Sequence, residues 1–136
     1  MSRDDDLERL ASVVVDCGYR LHRDLGPGLF ESAYEQLMFG LLKAEGLEVS
    51  RQVPVPLRYG GVVVDNAFRI DLLVGKRLIV ELKSTEKHES VHAKQVITYL
   101  RLTGLPLGLL INFGMPTFKS GISRIANDYH SGWTRE

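Results

Sequence analysis

The first hydrophobic positions of the chain recur at steps of three and four residues, which is the spacing of one helix face. They predict a helix over residues 7–25 that buries Leu7, Leu10, Val14, Cys17, Leu21 and Leu25. The segment Gly26-Pro27-Gly28 ends this helix, because proline lacks a backbone donor and glycine allows conformations closed to other residues. A second helix follows and stops near Gly46. Its predicted buried side contains Phe30, Ala33, Tyr34, Leu37, Met38, Leu41 and Leu42.

The middle of the chain consists of runs rich in β-forming residues. The runs cover residues 49–59, 62–64, 68–74 and 78–82, and turn-forming pairs separate them at Gly60-Gly61, Asp65-Asn66 and Gly75-Lys76. They predict antiparallel strands joined by tight turns. Pro54 and Pro56 cannot donate ladder hydrogen bonds, so the first run is expected to be an edge strand or to begin irregularly. Strand alternation places Phe68, Ile70, Leu72 and Val74 on one face, and Arg69, Asp71 and Leu73 on the other.

The last third of the chain combines a helix with a fully apolar strand. A helix is predicted from Val91 to Thr103, capped by Ser90 and ended by Gly104. The apolar run Leu107–Phe113 is typical of a strand covered on both faces and reached by a parallel crossover connection. A short strand is predicted at Ile122–Ala126. This element order predicts an α/β sandwich with a mixed sheet.

Length and composition indicate one globular domain spanning residues 1–136, with a core at about 7–126 and a polar tail from Asp128. The acidic N-terminus lacks the basic and apolar regions of a secretory signal. No apolar run approaches the roughly 20 residues that cross a bilayer. We therefore expect a cytoplasmic protein without a membrane segment, in which Cys17 is a small buried hydrophobic residue.

The charge balance argues against a protein that merely coats nucleic acid. The 17 basic residues equal the 17 acidic ones, so no global positive field draws the chain onto a polyanion. A nuclease tolerates this neutrality, because a divalent cation and a local basic rim can hold a phosphate.

Charged side chains interrupt the two apolar runs at 68–74 and 78–82. Alternation places Glu81 and Lys83 on one strand face, opposite Leu82 and its apolar neighbours. If Asp71 lies on the neighbouring strand, two carboxylates and one ammonium group converge. Two carboxylates suit Mg²⁺, with the backbone carbonyl of Leu82 as a further ligand and substrate phosphate completing the shell.

This arrangement points to phosphodiester cleavage, with Lys83 orienting the attacking water or stabilising charge on phosphorus. A salt-bridge array on a solvated sheet face explains the same residues. Local sequence leaves both interpretations open, although the apolar character of the two strands on both faces weighs against a solvated array.

The flanking helices carry further candidates, each with an ordinary alternative. Glu31 begins the second helix, where it either complements the helix dipole or adds a third carboxylate. Gln95 and Tyr99 lie four residues apart on one helix face, where they could hold a substrate phosphate or a DNA end. The ordinary alternative is that Tyr99 packs into the core and Gln95 is exposed to solvent. His92 is an acid, base or ligand, or a surface residue.

An ordered series of motifs resembles the GxxExxY family of small prokaryotic proteins. The segment Gly28–Tyr34 fits the Gly-x-x-Glu-x-x-Tyr pattern that names the family. The other matching segments are Gln52–Val55, Arg69–Leu72, Glu81–Lys83, His92–Gln95 with Tyr99–Leu100, and Gly108–Phe113. The resemblance covers nearly the whole chain, from about Leu7 to Ala126.

That family is similar to the PD-(D/E)XK nuclease superfamily, whose fold is restriction-endonuclease-like with an α-β-β-β-α-β core. The resemblance implies Glu31 as a helical acidic residue, Asp71 and Glu81 as metal ligands, and Lys83 as the catalytic lysine. Gln95 and Tyr99 resemble the Gln-x-x-x-Tyr motif of the RecB-type branch. One departure is Ile70, which stands where the superfamily's name carries proline.

The sequence therefore predicts a nuclease that uses Mg²⁺, with Mn²⁺ as a substitute, to hydrolyse DNA. The predicted substrate contacts are Gln95, Tyr99, Arg69 and His92. The alternative is a non-catalytic module that keeps the fold and binds nucleic acid or protein. The sequence leaves open DNA versus RNA, cleavage at ends versus internally, and whether a homodimer or a protein partner is needed.

Overall fold

The computed structural model describes residues 3–127. Its elements, in chain order, are α1 (Arg3–Leu25), α2 (Glu31–Ala44), β1 (Val49–Tyr59), β2 (Val62–Val74), β3 (Leu78–Lys83), α3 (Ser90–Thr103), β4 (Leu107–Asn112), α4 (Phe118–Gly121) and β5 (Ile122–Ala126). The strands form one sheet in the order β1-β2-β3-β4-β5. β3 and β4 are parallel, and the other neighbours are antiparallel. The mixed sheet, the α-β-β-β-α-β order and the extra N-terminal helix confirm the predicted fold.

Helices cover both faces of the sheet, and each face has its own hydrophobic cluster. The larger cluster joins α1 and α2 to one face, with members that include Val14, Met38, Leu72, Val80 and Ile111. The smaller cluster joins α3 to the opposite face through Ile70, Ile79, Val96, Leu100 and Leu110. The sheet is therefore the middle layer of a three-layer sandwich.

The buried faces of α1 and α2 follow the predicted helical spacing except at three residues. Cys17 is fully buried, as expected. Leu25, at the last position of α1, is 51% exposed, and Leu37 is 39% exposed on α2. Phe30 is 86% exposed because it precedes α2 as its extended N-cap residue and so does not share the helix face. Burial of these three side chains was a wrong prediction.

β2 is one continuous strand, so the predicted turn at Asp65-Asn66 is wrong. Val55 pairs with Phe68, and Leu57 pairs with Val64. Between these two pairs, β2 advances by four residues while β1 advances by two. The extra residues form a bulge opposite Pro56, which has no N–H to donate. β1 is an edge strand, as predicted.

The predicted single face of residues 68–74 is also wrong. Phe68 and Ile70 pack in the α3-side cluster, whereas Leu72 and Val74 pack in the α1/α2-side cluster. Gln52 lies on β1 between the residues that pair with Ile70 and Leu72, and its φ of 49° departs from extended backbone. Strict alternation requires regular extended backbone, so it fails at this point of the β1–β2 ribbon.

The connection between β3 and β4 differs from prediction only at the start of α3. Ser90 is the first helical residue rather than the cap, and Glu89 occupies the cap position without a side-chain hydrogen bond. Gly104 ends the helix in the left-handed conformation, with φ 73°. β4 is buried along its whole length and parallel to β3, as predicted.

The short helix α4 was not predicted, while β5 was. The predicted polar tail at 128–136 lies outside the described residues. No helix within residues 3–127 combines the length and apolar character needed to cross a bilayer.

Candidate active site

Two carboxylates meet where the pairing between β2 and β3 ends. Leu72 pairs with Val80, and the next opposed residues are Asp71 and Glu81. The Asp71 backbone N–H donates to Glu81 Oε1 at 3.0 Å, and the Leu82 N–H donates to Asp71 Oδ2 at 2.9 Å. Side-chain oxygens thus take the place of ladder carbonyls. This exchange fixes both carboxylates beside each other.

The charge of this pair is poorly balanced within the protein. Glu81 is only 4% exposed. Its burial, followed by the negative charge of Asp71, raises the pKa of Glu81 to about 8, while the Asp71 N–H and the Lys83 ammonium oppose that rise. Two adjacent carboxylates that resist ionising together favour a cation between them.

Lys83 lies on the same face of β3 as Glu81, as alternation predicted. Leu78, Val80 and Leu82 pack into the α1/α2-side cluster on the opposite face. The half-buried Lys83 ammonium lowers the pKa values of Glu81 and His92 through its charge. The Lys83 ammonium therefore lies within electrostatic range of Glu81.

The loop between α1 and α2 brings Glu31 to the end of β3. Ser84 Oγ donates to the Leu29 carbonyl at 2.7 Å, which ties this loop to the chain after β3. Partial burial raises the pKa of Glu31, and the charge of Asp71 raises it further, while Lys83 and the Ser84 N–H lower it. Glu31 therefore lies within electrostatic range of the carboxylate pair.

Tyr34 completes the Gly-x-x-Glu-x-x-Tyr pattern as a buried anchor. Its hydroxyl donates to the Gly26 carbonyl and accepts from the Leu29 N–H at 3.2 Å. Its ring stacks on Phe113 with centroids 4.3 Å apart. Tyr34 thus fixes the loop that delivers Glu31, which gives the pattern a structural explanation.

Tyr99 and Gln95 line a groove between α3 and the β1–β2 ribbon. Tyr99 stacks on Phe68 with ring centroids 4.1 Å apart. Burial raises the pKa of Tyr99, and the negative charges of Glu81 and Asp71 raise it further, so Tyr99 lies within electrostatic range of the carboxylate pair. The groove has a volume of about 460 Å³, and Leu57, Val91 and Lys94 are among its lining residues.

The two remaining predicted residues lie at different distances from this centre. His92 is half-buried, with Nε2 3.5 Å from Glu89 Oε2. Its pKa is lowered by burial and then by the charge of Lys83, while Glu89 opposes this change. Arg69 is exposed on β2, paired in register with Pro54, and no contact among the described residues joins it to the carboxylates.

Sequence reasoning missed a polar network behind Asp71. Glu35 is 7% exposed, and its Oε2 accepts from Arg51 Nη2 at 3.0 Å and Nε at 3.2 Å. Gln52 Nε2 donates to Glu35 Oε1 at 2.6 Å and to Asp71 Oδ1 at 3.2 Å. The available signal was Glu35 standing one helical turn after Glu31.

Asn112, at the end of β4, was also missed as a buried polar residue. It is 2% exposed, and its Oδ1 accepts from the Thr85 and Gly114 N–H groups, each at 3.0 Å. Its Nδ2 donates to Thr85 Oγ1 at 3.1 Å and to the Lys87 carbonyl at 3.4 Å. This side chain joins the loop after β3 to the end of β4.

The donor set at the carboxylate pair fits a hard divalent cation. Mg²⁺ in proteins uses one or two carboxylates and keeps several waters, and Asp71 with Glu81 supplies that number. Within residues 3–127, no group of three or more His, Cys, Asp or Glu side chains is gathered closely enough to hold a metal. Glu31 therefore stays a predicted, not an observed, addition to the pair.

Comparison with known proteins bears on nearly the whole described chain. A family model described as the PD-(D/E)XK nuclease superfamily matches residues 8–125. The matched segment contains the carboxylate pair, Lys83 and Glu31. It also contains Gln95 and Tyr99 of the groove. No curated protein matches the chain.

Proposed function

Because the chain belongs to the PD-(D/E)XK nuclease superfamily, we propose that it is a magnesium-dependent nuclease that hydrolyses phosphodiester bonds of DNA. The observation that carries this proposal is the pairing of the buried Glu81 with the half-buried Asp71, two adjacent carboxylates whose oxygens fit a divalent cation. A purely structural sheet position has no need of a buried carboxylate placed against a second carboxylate.

In this proposal Asp71 and Glu81 hold the ion, with the Leu82 carbonyl as a further ligand and Mn²⁺ as a substitute metal. When bound, Mg²⁺ supplies Lewis-acid stabilisation of the phosphate and lowers the pKa of a coordinated water. The Asp71 and Leu82 N–H groups keep the carboxylates in place without competing for every oxygen lone pair.

Lys83 is the proposed catalytic lysine, which orients the attacking water and stabilises charge on the phosphate. Its ammonium lies on the Glu81 side of β3, where it can orient the attacking water by hydrogen bonding. The same positive charge stabilises negative charge that develops on the phosphoryl oxygens in the transition state. Both roles require Lys83 to remain close to the carboxylates, as its effect on the pKa of Glu81 indicates.

The substrate strand is proposed to run along the α3 side of the site. Gln95 and Tyr99 offer an amide and a phenol to a phosphate or a DNA end, and His92 and Arg69 extend the polar surface. Glu31 acts from the opposite flank, where its charge adds to that of the pair.

The same observations support two finer proposals. We propose that the chain belongs to the GxxExxY branch, because the Tyr34 hydroxyl bonds to the Gly26 carbonyl and the Leu29 N–H and so holds the loop that precedes Glu31. Residues 1–136 are proposed to act as a single domain.

Cleavage assays on purified protein test the proposal. Single-stranded, duplex and branched DNA, with matched RNA, are incubated with Mg²⁺, Mn²⁺ or a chelator. Metal-dependent cleavage of DNA is expected, with a loss of roughly 1,000-fold or more in Glu81→Gln and Lys83→Met, in line with the removal of transition-state stabilisation. Glu8→Gln is the matched control, because Glu8 is an exposed carboxylate paired with Arg124 on the far edge of the sheet.

A folded protein that cuts none of these DNA substrates with either metal would contradict the proposal. Cleavage restricted to RNA would correct the substrate. Nucleic-acid binding without cleavage, unaffected by Glu81→Gln, would instead support the non-catalytic alternative.

A further inference from the structure

Gln52 holds a backbone conformation that its residue type disfavours. Its φ is 49°, in the left-handed region, and it lies within the edge strand β1 rather than in a turn. A non-glycine residue in this region is strained, because its Cβ atom approaches the backbone, unless its surroundings compensate. Such strain persists where a side chain is needed in a particular place.

The Gln52 side chain reaches two carboxylates at once. Its Nε2 atom is 2.6 Å from Glu35 Oε1 and 3.2 Å from Asp71 Oδ1. Both partners are carboxylate oxygens, which only accept, so the amide nitrogen with its two hydrogens must face them. One hydrogen serves each carboxylate, and the amide bridges them.

Glu35 is itself held in place from the other side. It is buried on α2, and the Arg51 guanidinium donates to its Oε2 through two nitrogens. The ion pair leaves Glu35 Oε1 directed at Gln52. α2 thereby fixes the amide, and the amide fixes one oxygen of Asp71.

The other oxygen of Asp71 is already fixed by the Leu82 N–H. A carboxylate bonded through both oxygens has a defined orientation, whereas one bonded through a single oxygen can swing about its χ angles. Gln52 therefore supplies the second constraint on Asp71.

From these contacts we infer that Gln52 is a positioning residue for the active site, which orients the Asp71 carboxylate for a divalent cation while Glu35 and Arg51 hold the Gln52 amide. This inference rests on the proposed function for the identity of the bound species. The orientation of Asp71 itself does not depend on that identity.

The left-handed φ makes the inference separable from a structural role. Glycine adopts this φ without the penalty of a Cβ atom. Gln52→Gly therefore relieves backbone strain while it removes the amide, so the thermal midpoint should change little even though the Asp71 carboxylate loses its second constraint.

The test uses two readouts on the full chain. In metal-free protein, the amide proton shift of Leu82 reports the hydrogen bond to Asp71 and should move upfield in Gln52→Gly. Calorimetric titration with Mn²⁺ alone should show a Kd that is about 10–100-fold higher than in the wild type, as for other residues that orient metal ligands. Gln52→Asn should match this loss, because Asn also tolerates positive φ but is one methylene too short to bridge both carboxylates.

Lys76→Gly is the matched control. Lys76 is the other non-glycine residue with positive φ in the described chain, at 59°, and its side chain forms only an exposed ion pair with Glu48. This variant relieves the same kind of strain away from the site, so the Leu82 amide shift and the Mn²⁺ affinity should stay at wild-type values.

Folded Gln52→Gly and Gln52→Asn proteins with an unmoved Leu82 amide and a Kd within about twofold of wild type would overturn the inference. If the wild type binds no Mn²⁺, the proposed metal site fails, and the Leu82 shift in metal-free protein still decides whether Gln52 orients Asp71.

Discussion

Two neighbouring parallel strands each carry a buried polar side chain near the carboxyl end, Glu81 on β3 and Asn112 on β4. Both are nearly inaccessible to solvent, at 4% and 2% exposure. Asn112 is neutral, and its oxygen and nitrogen are both fully used by the loops around it. Glu81 is acidic, lies against the second carboxylate of Asp71, and receives one backbone hydrogen bond from it.

The difference distinguishes a structural polar residue, Asn112, from Glu81, for which we propose a functional role. Burial alone is common to both, so it identifies neither role. Asn112 is satisfied within the protein, whereas the pair at β3 carries charge that the described residues only partly balance. Unbalanced charge, rather than burial, marks the site that needs a further group.

The largest change in the free energy of unfolding is expected when a buried carboxylate replaces Asn112 on β4. Asn112→Asp keeps the side-chain shape but replaces two donors with an acceptor that carries a buried negative charge. Leaving such a charge uncompensated should lower the free energy of unfolding by about 3–5 kcal/mol. Urea denaturation at neutral pH measures this, and a loss below about 1 kcal/mol would show that the Asn112 site tolerates charge.

A smaller effect is expected when Mg²⁺ is added to the carboxylate pair of Asp71 and Glu81. Mg²⁺ at about 100 times its Kd should raise the free energy of unfolding by about 2.7 kcal/mol, because only the folded chain presents both carboxylates. The gain should vanish in Glu81→Gln and persist in Glu8→Gln. Equal stabilisation of the wild type and Glu81→Gln would place the ion elsewhere.

Removing the charge of Glu81 should give a stabilisation of about 1–3 kcal/mol in metal-free protein above pH 8. The pKa of Glu81 rises from 4.5 to about 8 on folding, so its contribution to stability is complete below about pH 4.5 and is lost as pH rises through about 8. In chelator, the free energy of unfolding should therefore be lower at about pH 9 than at about pH 5 for the wild type. For Glu81→Gln this difference should be much smaller. A wild-type stability that does not fall over this interval would contradict the raised pKa.

The smallest change in the free energy of unfolding is expected when the exposed, ion-paired Glu8 is neutralised. Glu8 pairs with Arg124, and both side chains are about half exposed, at 56% and 51%. Glu8→Gln should change the free energy of unfolding by less than about 1 kcal/mol, since exposed ion pairs contribute little. Thermal denaturation at two salt concentrations checks this, and a larger effect would mean that charge matters to this sheet wherever it lies.

Much of the fold could be predicted because local patterns determined it. The helical spacing in α1, the apolar run of β4 and the left-handed Gly104 each carry their own signal. The Asp65-Asn66 segment has an equally clear turn signal, yet it lies in a bulge, because the flanking residues Val64 and Phe68 pair with Leu57 and Val55 on β1. Pairing partners distant in the chain are not visible in a local pattern.

The candidate site divides in the same way. Strand alternation placed Glu81 and Lys83 on one face, and the structure places them there. The bridge from Gln52 to Glu35 spans 17 residues and depends on a positive φ that no local motif predicts. The bridge forms only because α2 packs against the β1–β2 ribbon.

The most direct test of the central assignment is a crystal structure of the wild type grown with Mn²⁺, with anomalous differences collected at the manganese edge. A single strong peak within ligand distance of one oxygen of Asp71 and one of Glu81 is the predicted result. A well-ordered site with no peak at these carboxylates, or with manganese bound only elsewhere, would contradict the account.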